Sequence, residues 1–422
     1  MLKKTLGTFG AKLIGAILNF FVIILLSQFL GPEGKGEASL ILTSVAIVLI
    51  FGNLIGGAPV VYLTPRKSIY QLLQVSYFWA VIVAVLAFVI LSNITIGIDA
   101  NWVKHIAILS LIEGFTAANL AVLIGKEKIA QNNLVSIIKS ITLFGFLSYG
   151  FFIAKNSDLN TYLIALYISF SIGLILSLYF ISKVIEFKTT ESTITLFKAI
   201  FKNGLLNQSA YILQFLSFRI SYYIISSKLG EAELGIYSNA VSIAESIWLI
   251  SRSIALVQFS RIVNSDDQEN NQQLTIKLFK FTFVLTIVAL IPLNILPESF
   301  YGLLFGEEFS SVKMIILLVS PGILAFNLFL IFGHYFSGIE QFKPLTIVST
   351  IGFFVTLIAT LILVEIGGTN GVAIATSISL ITGTAVLGYL FKKSTSTPWS
   401  QFLITKNDVV EIKSMVKRIL PN

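Results

Sequence analysis

Within an otherwise apolar stretch, Ser238, Ser242, Glu245 and Arg252 recur at i, i+4, i+7 and i+14. At about 100° per residue these four share one side of a helix. A carboxylate and a guanidinium two turns apart on such a stripe either line a hydrated path or pair with other helices. The preceding apolar segment carries its own polar stripe, Asn207, Tyr211, Gln214, Ser217 and Ser221, while Arg219 lies off it and closer to Tyr222. Near the start of the chain, Thr8, Lys12, Gly15 and Asn19 form a comparable face, with Lys12 near enough to the segment end to snorkel out. Lys139 has the same option. Glu113, flanked by Ser110 and Thr116, is placed as a proton or cation site or as the partner of a basic residue. Asn53 stands at the position equivalent to Arg252 in an internal repeat described below. Lys12, Lys139, Arg219 and Arg252 outnumber Glu113 and Glu245 inside the apolar segments, and a cationic interior suits an anionic cargo. Arginine there can replace the hydration of a phosphate by bidentate contacts.

The elements that must hold these groups are long and apolar. With 55% hydrophobic and 12% charged residues in 422, the chain has far too little charge for a soluble domain. Crossing a bilayer takes about 20 apolar residues per helix. Twelve segments qualify: 7–30, 38–63, 74–96, 105–125, 133–154 and 161–183, then 204–226, 236–260, 279–299, 313–335, 345–364 and 371–391. None alternates with period two, so helices rather than barrel strands are expected. The fold expected is an all-α integral membrane protein of two six-helix bundles, 1–183 and 204–391. A cytoplasmic connector, 184–203, joins them, and a cytoplasmic tail, 392–422, follows. In the connector, Ile194, Phe197, Ile200 and Phe201 share a face, which predicts either a short amphipathic helix on the membrane or a plain linker. In the tail, Val409, Ile412, Val416 and Ile419 predict an interfacial helix.

Counting Lys and Arg in alternate loops leaves only Lys35, Lys104, Lys155, Lys228 and Lys313 on one side, so both termini are expected in the cytoplasm. The net charge of +8 then anchors the cytoplasmic face to anionic lipid and is no nucleic-acid footprint. MLKK and its apolar run are read as a retained helix rather than a cleaved signal. There is no cysteine for thiolate chemistry, and His105 with His334 cannot make a histidine metal site; no metal or cofactor is expected.

LSQFLGPEGKGEASL (26–40) returns 199 positions later as ISSKLGEAELGIYSNA (225–240), sharing S-x-x-L-G-x-x-x-x-G. GKEKI (125–129) and GIEQF (338–342) give a weaker echo. Gly31, Gly36, Gly230 and Gly235 are expected to supply positive φ in tight turns outside the membrane. Gly56, Gly57 and Pro59, Pro292, and Pro321 with Gly322 predict bends inside spans, as static kinks or as moving parts.

LGPEGKG after the first span, ISYYIISSKLGEAELGIYSNAVSIAE through the seventh and eighth, and LFGEEF (304–309) before the tenth resemble the polysaccharide flippases, the O-antigen (Wzx-type) branch of the multidrug/oligosaccharidyl-lipid/polysaccharide (MOP) exporter superfamily. The chain departs from that pattern at QFSRI, where a proline is common, and at SFRIS, which lacks the acid that often neighbours the arginine. The resemblance implies a V-shaped carrier in the bacterial inner membrane. Its cargo would be an undecaprenyl-pyrophosphate-linked oligosaccharide, moved by alternating access for O-antigen, capsule or exopolysaccharide synthesis. It further implies membrane lipids as partners and, among proteins, a glycan polymerase and a chain-length regulator. The cargo-binding candidates are Arg252, Arg219, Lys12, Asn19, Asn53, Gln214, Asn207 and Tyr211, with Glu245 and Glu113 as coupling or ion-pair residues. Competing readings are a peptidoglycan lipid-precursor flippase, a multidrug exporter and, as the enzyme alternative, a membrane glycan polymerase. No external loop reaches the length such a polymerase usually devotes to catalysis.

Overall fold

The computed structural model describes residues 2–93, 98–189, 192–265 and 267–405, without the side chains of 2–9, 199, 203 and 205–207. The predicted tail helix therefore lies outside the described residues. Among those described, the regular structure is helical throughout. The first half of the chain forms α1 (Leu2–Gly56), α2 (Ala58–Leu63), α3 (Ile69–Asn93), α4 (Ala100–Gly125), α5 (Ile129–Ser148), α6 (Leu159–Ser182) and α7 (Thr193–Leu229). Then follow α8 (Glu231–Ser246), α9 (Trp248–Val263), α10 (Gln268–Ile295), α11 (Glu298–Phe305), α12 (Val312–Gly338) and α13 (Lys343–Thr395). Nine helical stretches among the described residues are long and apolar enough to cross a membrane. Their outward sides are bare hydrocarbon, as at Val81, Val85 and Val89 on α3, each 41–55% exposed. This is a multi-pass membrane protein.

Interruptions fall where backbone chemistry requires them. The 55-residue α1 is broken at Gly31 (φ 66°, ψ −175°) and the 53-residue α13 at Gly368 (φ 54°, ψ −137°), each a left-handed φ that favours glycine. Gly57 leaves helical geometry, and Pro59 restarts the chain near the start of α2, where its missing N–H costs little.

The chain divides into two compact units. One comprises Met1–Ser238 and Tyr301–Phe309, the other Asn239–Phe300 and Ser310–Asn422. In the first, Val22, Ile41, Leu109, Leu147, Tyr162 and Leu166 form a core shared by α1, α4, α5 and α6. The connector's helix is continuous with the following span. Its Leu196 and Ile200 pack against Ile55, Leu72 and Val75 of α1 and α3, with Phe197 and Phe201 against Trp79. Ile194 instead points outward, 68% exposed. Most of the apolar stripe read from the sequence is thus packed against helices, with Ile194 left outside that packing.

In the second unit α12 is the central post, with Phe326 against Trp248 of α9 (4.5 Å between ring centroids), and Phe332 against Phe279 of α10 and Phe391 of α13. The proline inside it, Pro321, has a specific support. Ser377 Oγ accepts from Gly322 N (3.2 Å) and donates to Leu318 O (2.6 Å), entering the helical ladder beside the proline. A Cβ at Gly322 would lie 2.6 Å from Ser377 Cα, so the glycine is what admits α13 this closely.

Candidate functional site

The two copies of the repeated motif meet each other inside the first unit, around a local two-fold. Gly31 and Gly230 both carry positive φ with extended ψ (66°/−175° and 91°/173°), as the repeat predicts. Gly36 and Gly235 do not; they are helical, and their missing side chains serve another purpose. A Cβ at Gly36 would fall 1.8 Å from Glu231 O, and one at Gly235 would fall 2.0 Å from Pro32 O. Pro32 and Glu231 are themselves repeat equivalents, so each copy presses its glycine onto the carbonyl of the other, the reciprocal pattern of an isologous contact. Ser39 and Ser238, also equivalent at a separation of 199 residues, are hydrogen-bonded at 2.9 Å. LFGEEF docks on the same place: Gln28 Nε2 donates to Leu304 O (3.0 Å), and Gly306 turns at φ 113° beside buried Phe305 and Phe309.

Lys35 is the charged member of this crossing. Expected in an exposed turn, it is only 4% exposed, with Nζ donating to Ser39 Oγ (2.6 Å) and Ser238 Oγ (2.9 Å). No carboxylate among the described residues pairs with it. Its repeat equivalent is Leu234, fully buried. Ser238, read from the sequence as the first residue of the polar stripe, is committed here instead.

The other predicted residues separate into groups. Lys12 and Asn19 are exposed on α1, and Asn53 is half-buried near the end of that helix. There Ile50 and Leu54 pack against Ile212, Phe215 and Leu216 of α7. A Cβ at Gly204 would lie 1.8 Å from Leu54 O, so α7 is in backbone contact with α1 at that point. On α7, Tyr211 is 54% exposed and Gln214 half-buried; the side chain of Asn207 lies outside those described. Arg219 turns onto aromatic rings, 5.1 Å from the Tyr222 centroid and 5.8 Å from Phe215, with Nη1 3.3 Å from Tyr222 Oη. α1 and α7 thus hold Asn53, Tyr211, Gln214 and Arg219 on two packed segments.

Glu113 of α4 forms an ion pair with Lys139 of α5, at side-chain exposures of 18% and 15%. Lys139 Nζ also sits 4.9 Å from the Phe170 ring of α6, and a Cβ at Gly173 would strike its stem. This acid and base are tied up within one bundle. A second polar ladder links α3, α4 and α6: Tyr77 Oη donates to Asn119, whose Nδ2 donates to Ser177 Oγ at 2.9 Å. A lone Asn or Tyr inside each apolar segment was its only signal in the sequence.

In the second unit Glu245 is half-buried near the end of α8 and Arg252 is exposed on α9. A one-residue turn at Ile247 parts those helices, but Ile247 keeps helical dihedrals (φ −65°, ψ −26°), and Glu231–Val263 runs as one 33-residue helical stretch. The Arg252 guanidinium lies 5.7 Å from the Trp248 ring, and His334 of α12 is within its electrostatic reach. What Arg252 and Trp248 offer is a cation and a ring face, suited to anions and sugars.

No protein-family model matches the chain. It is 23% identical over 409 residues to the probable low-salt glycan biosynthesis flippase Agl15 of Haloferax volcanii, covering 91% of this chain and 82% of that one. It is 22% identical over 405 residues to the capsular polysaccharide biosynthesis protein CapF of Staphylococcus aureus, covering 93% and 100%. Among solved structures it superposes on the lipid II flippase MurJ in an inward closed conformation with a TM-score of 0.75, at 15% identity, over 100% of this chain and 94% of that one. An inward-facing MATE family multidrug transporter of the MOP superfamily gives 0.70, at 14% identity, over 90% and 94%. The likeness to these glycan-biosynthesis proteins runs over 91–93% of the chain, and the fold is the one the MurJ and MATE structures share.

Proposed function

We propose that this chain is a MOP-type flippase that carries a lipid-linked oligosaccharide from the cytoplasmic to the outer leaflet of a bacterial plasma membrane. The observation that carries the reading is its end-to-end likeness to two glycan-biosynthesis proteins, one of them a flippase by name, on a transporter fold. Counting two of the nine apolar stretches as paired spans parted at Gly31 and Gly368, and taking α7 as a further span, would give the twelve of two six-helix halves, with both termini proposed to lie in the cytoplasm. Arg219 and Arg252 are the residues proposed to meet the pyrophosphate, with Lys12, Asn19, Asn53, Asn207, Tyr211 and Gln214 along the hydrated path. Glu113, held by Lys139, serves as a structural ion pair in this scheme, and Glu245 is left as the coupling candidate. A polyanionic cargo leaving a negative cell interior gains roughly 2.3 kcal/mol per charge at 100 mV, enough to assist flipping without a second ion. A glycan polymerase and a chain-length regulator act downstream of such a carrier.

The test is deletion in the native host, with surface glycan separated by size and lipid-linked repeat units assayed by leaflet. Repeat units trapped on the cytoplasmic leaflet are expected. Single units reaching the surface without polymer would instead mean a polymerase, and an unchanged glycan profile would mean export of drugs or metabolites.

A further inference from the structure

The first unit has a basic pocket that the cargo path does not use. A cavity of about 490 Å³ opens between the α2–α3 turn, the α4–α5 turn and the chain leaving α6, and Arg66, Lys67, Lys126 and Lys188 line it against one acid, Glu186. Its walls are fixed. Ser68 Oγ donates to Lys188 O, and Ile69 belongs to an apolar cluster against which Val184 and Ile185 pack. Arg66 is braced by a bond from Nη1 to Tyr62 O (2.6 Å) and lies 4.2 Å from the Tyr62 ring. Lys188 bonds Glu186 at 2.9 Å, and with Lys126 nearby it holds that carboxyl below the usual range, so Glu186 stays ionised and offsets only one of the four cations.

Next to this pocket along α3 lies a groove of opposite character. Gln74, Val75 and Phe78 face Thr193, Ile194 and Phe197 of α7 around about 410 Å³ of nearly apolar space. Tyr70, Gln74 and Phe78 are successive i, i+4, i+8 positions, rising about 12 Å along the helix. At the lower end Tyr70 meets Phe187, the residue between Glu186 and Lys188, at 5.3 Å between rings. Beyond Phe78, itself 62% exposed, the bare residues Val81, Val85 and Val89 extend the strip toward the membrane centre. The groove therefore opens to lipid rather than to an aqueous path. A soluble anion would use the basic end alone; a phosphate with an attached hydrocarbon chain uses both.

We propose that this surface is a binding site for an anionic membrane phospholipid, its phosphate held by Arg66, Lys126 and Lys188 and one acyl chain lying between Phe78 and Ile194. It sits on the cytoplasmic leaflet in the orientation given under Proposed function and rests on that orientation, not on the identity of the cargo. Each cation near an anionic headgroup is worth about fivefold in binding.

Purified full-length protein titrated with phosphatidylglycerol or phosphatidylcholine and read by native mass spectrometry tests it, with no glycan involved. Wild type is expected to prefer phosphatidylglycerol. R66Q/K126Q/K188Q, all at exposed positions, should melt with wild type and lose that preference roughly 10- to 100-fold. F78S/I194S should weaken retention of both lipids. An undiminished preference in the triple variant, or unchanged retention in the groove variant, would overturn the proposal. So would displacement of phosphatidylglycerol by glycerol phosphate, which marks a soluble-anion site, or by a polyprenyl diphosphate at lower concentration, which marks a cargo site.

Discussion

Alanine at Gly36 is the sharpest probe of the motif crossing. The new methyl would lie 1.8 Å from Glu231 O, whereas an ordinary carbon–oxygen contact is about 3.3 Å. The two copies must therefore part by about 1.5 Å. Such overpacking costs about 1–3 kcal/mol. The same movement takes the Ser39–Ser238 bond from 2.9 Å beyond hydrogen-bonding range and leaves Lys35 following one hydroxyl instead of two, a further cost of about 1 kcal/mol. Gly235→Ala meets the reciprocal carbonyl at 2.0 Å and should cost nearly the same. In the double variant one separation accommodates both methyls, so the cost should fall below the sum. Gly52→Ala is the control: nothing lies within 4 Å of its Cβ, and removing a helix-interior glycine should be neutral or stabilising by up to about 1 kcal/mol. The assay is thermal unfolding in detergent followed by tryptophan fluorescence, with a Tm drop of about 2–5 °C expected for each crossing variant. Wild-type melting of Gly36→Ala, or full additivity in the double variant, would refute the reciprocal contact.

Lys35→Met removes a buried ammonium that has hydroxyls but no carboxylate partner among the described residues, so its Tm should equal or exceed that of wild type, and a clear drop would mean the charge is structural. Glu113→Gln and Lys139→Met should each destabilise by about 3–5 kcal/mol, and the pair together by much less, because only the single variants leave a buried charge alone; simple addition in a double-mutant cycle would remove the coupling. Ser377→Ala should cost about 1–3 kcal/mol by stripping the support from Gly322 N and Leu318 O, and Pro321→Ala in the same chain should recover part of it. Arg219→Ala and Arg252→Ala should each impair glycan export in a complementation assay, and failure of Lys at either site would indicate bidentate recognition there. Full activity of both alanine variants would sink the cationic path.

The spans were legible because a bilayer imposes length and hydropathy on each segment separately. The motif repeat was legible for a related reason, since both copies must bend at Gly31 and Gly230. Partnerships across helices were not. Nothing local to Lys35 announces that the other copy covers it, and a glycine needed for close approach, as at Gly36, looks in sequence like one needed for positive φ. Glu113 and Lys139 were each conspicuous as charges inside apolar segments, yet which helix faces which is a matter of packing. Glu245 and Arg252 were likewise conspicuous as charges in an apolar stretch, but that one is half-buried and the other exposed depends on what packs around α8 and α9.

The crossing also explains a difference between the two copies. Under a true two-fold every contact is made twice, so a lysine at this position would bring two ammonium groups onto one pair of serine hydroxyls. Joining both copies in one chain lifts that restriction: Lys35 takes the hydroxyls while Leu234 fills the mirrored place with hydrocarbon. Duplication gives the fold its symmetry, and covalent fusion lets selection break it where a single charge is tolerable and two are not.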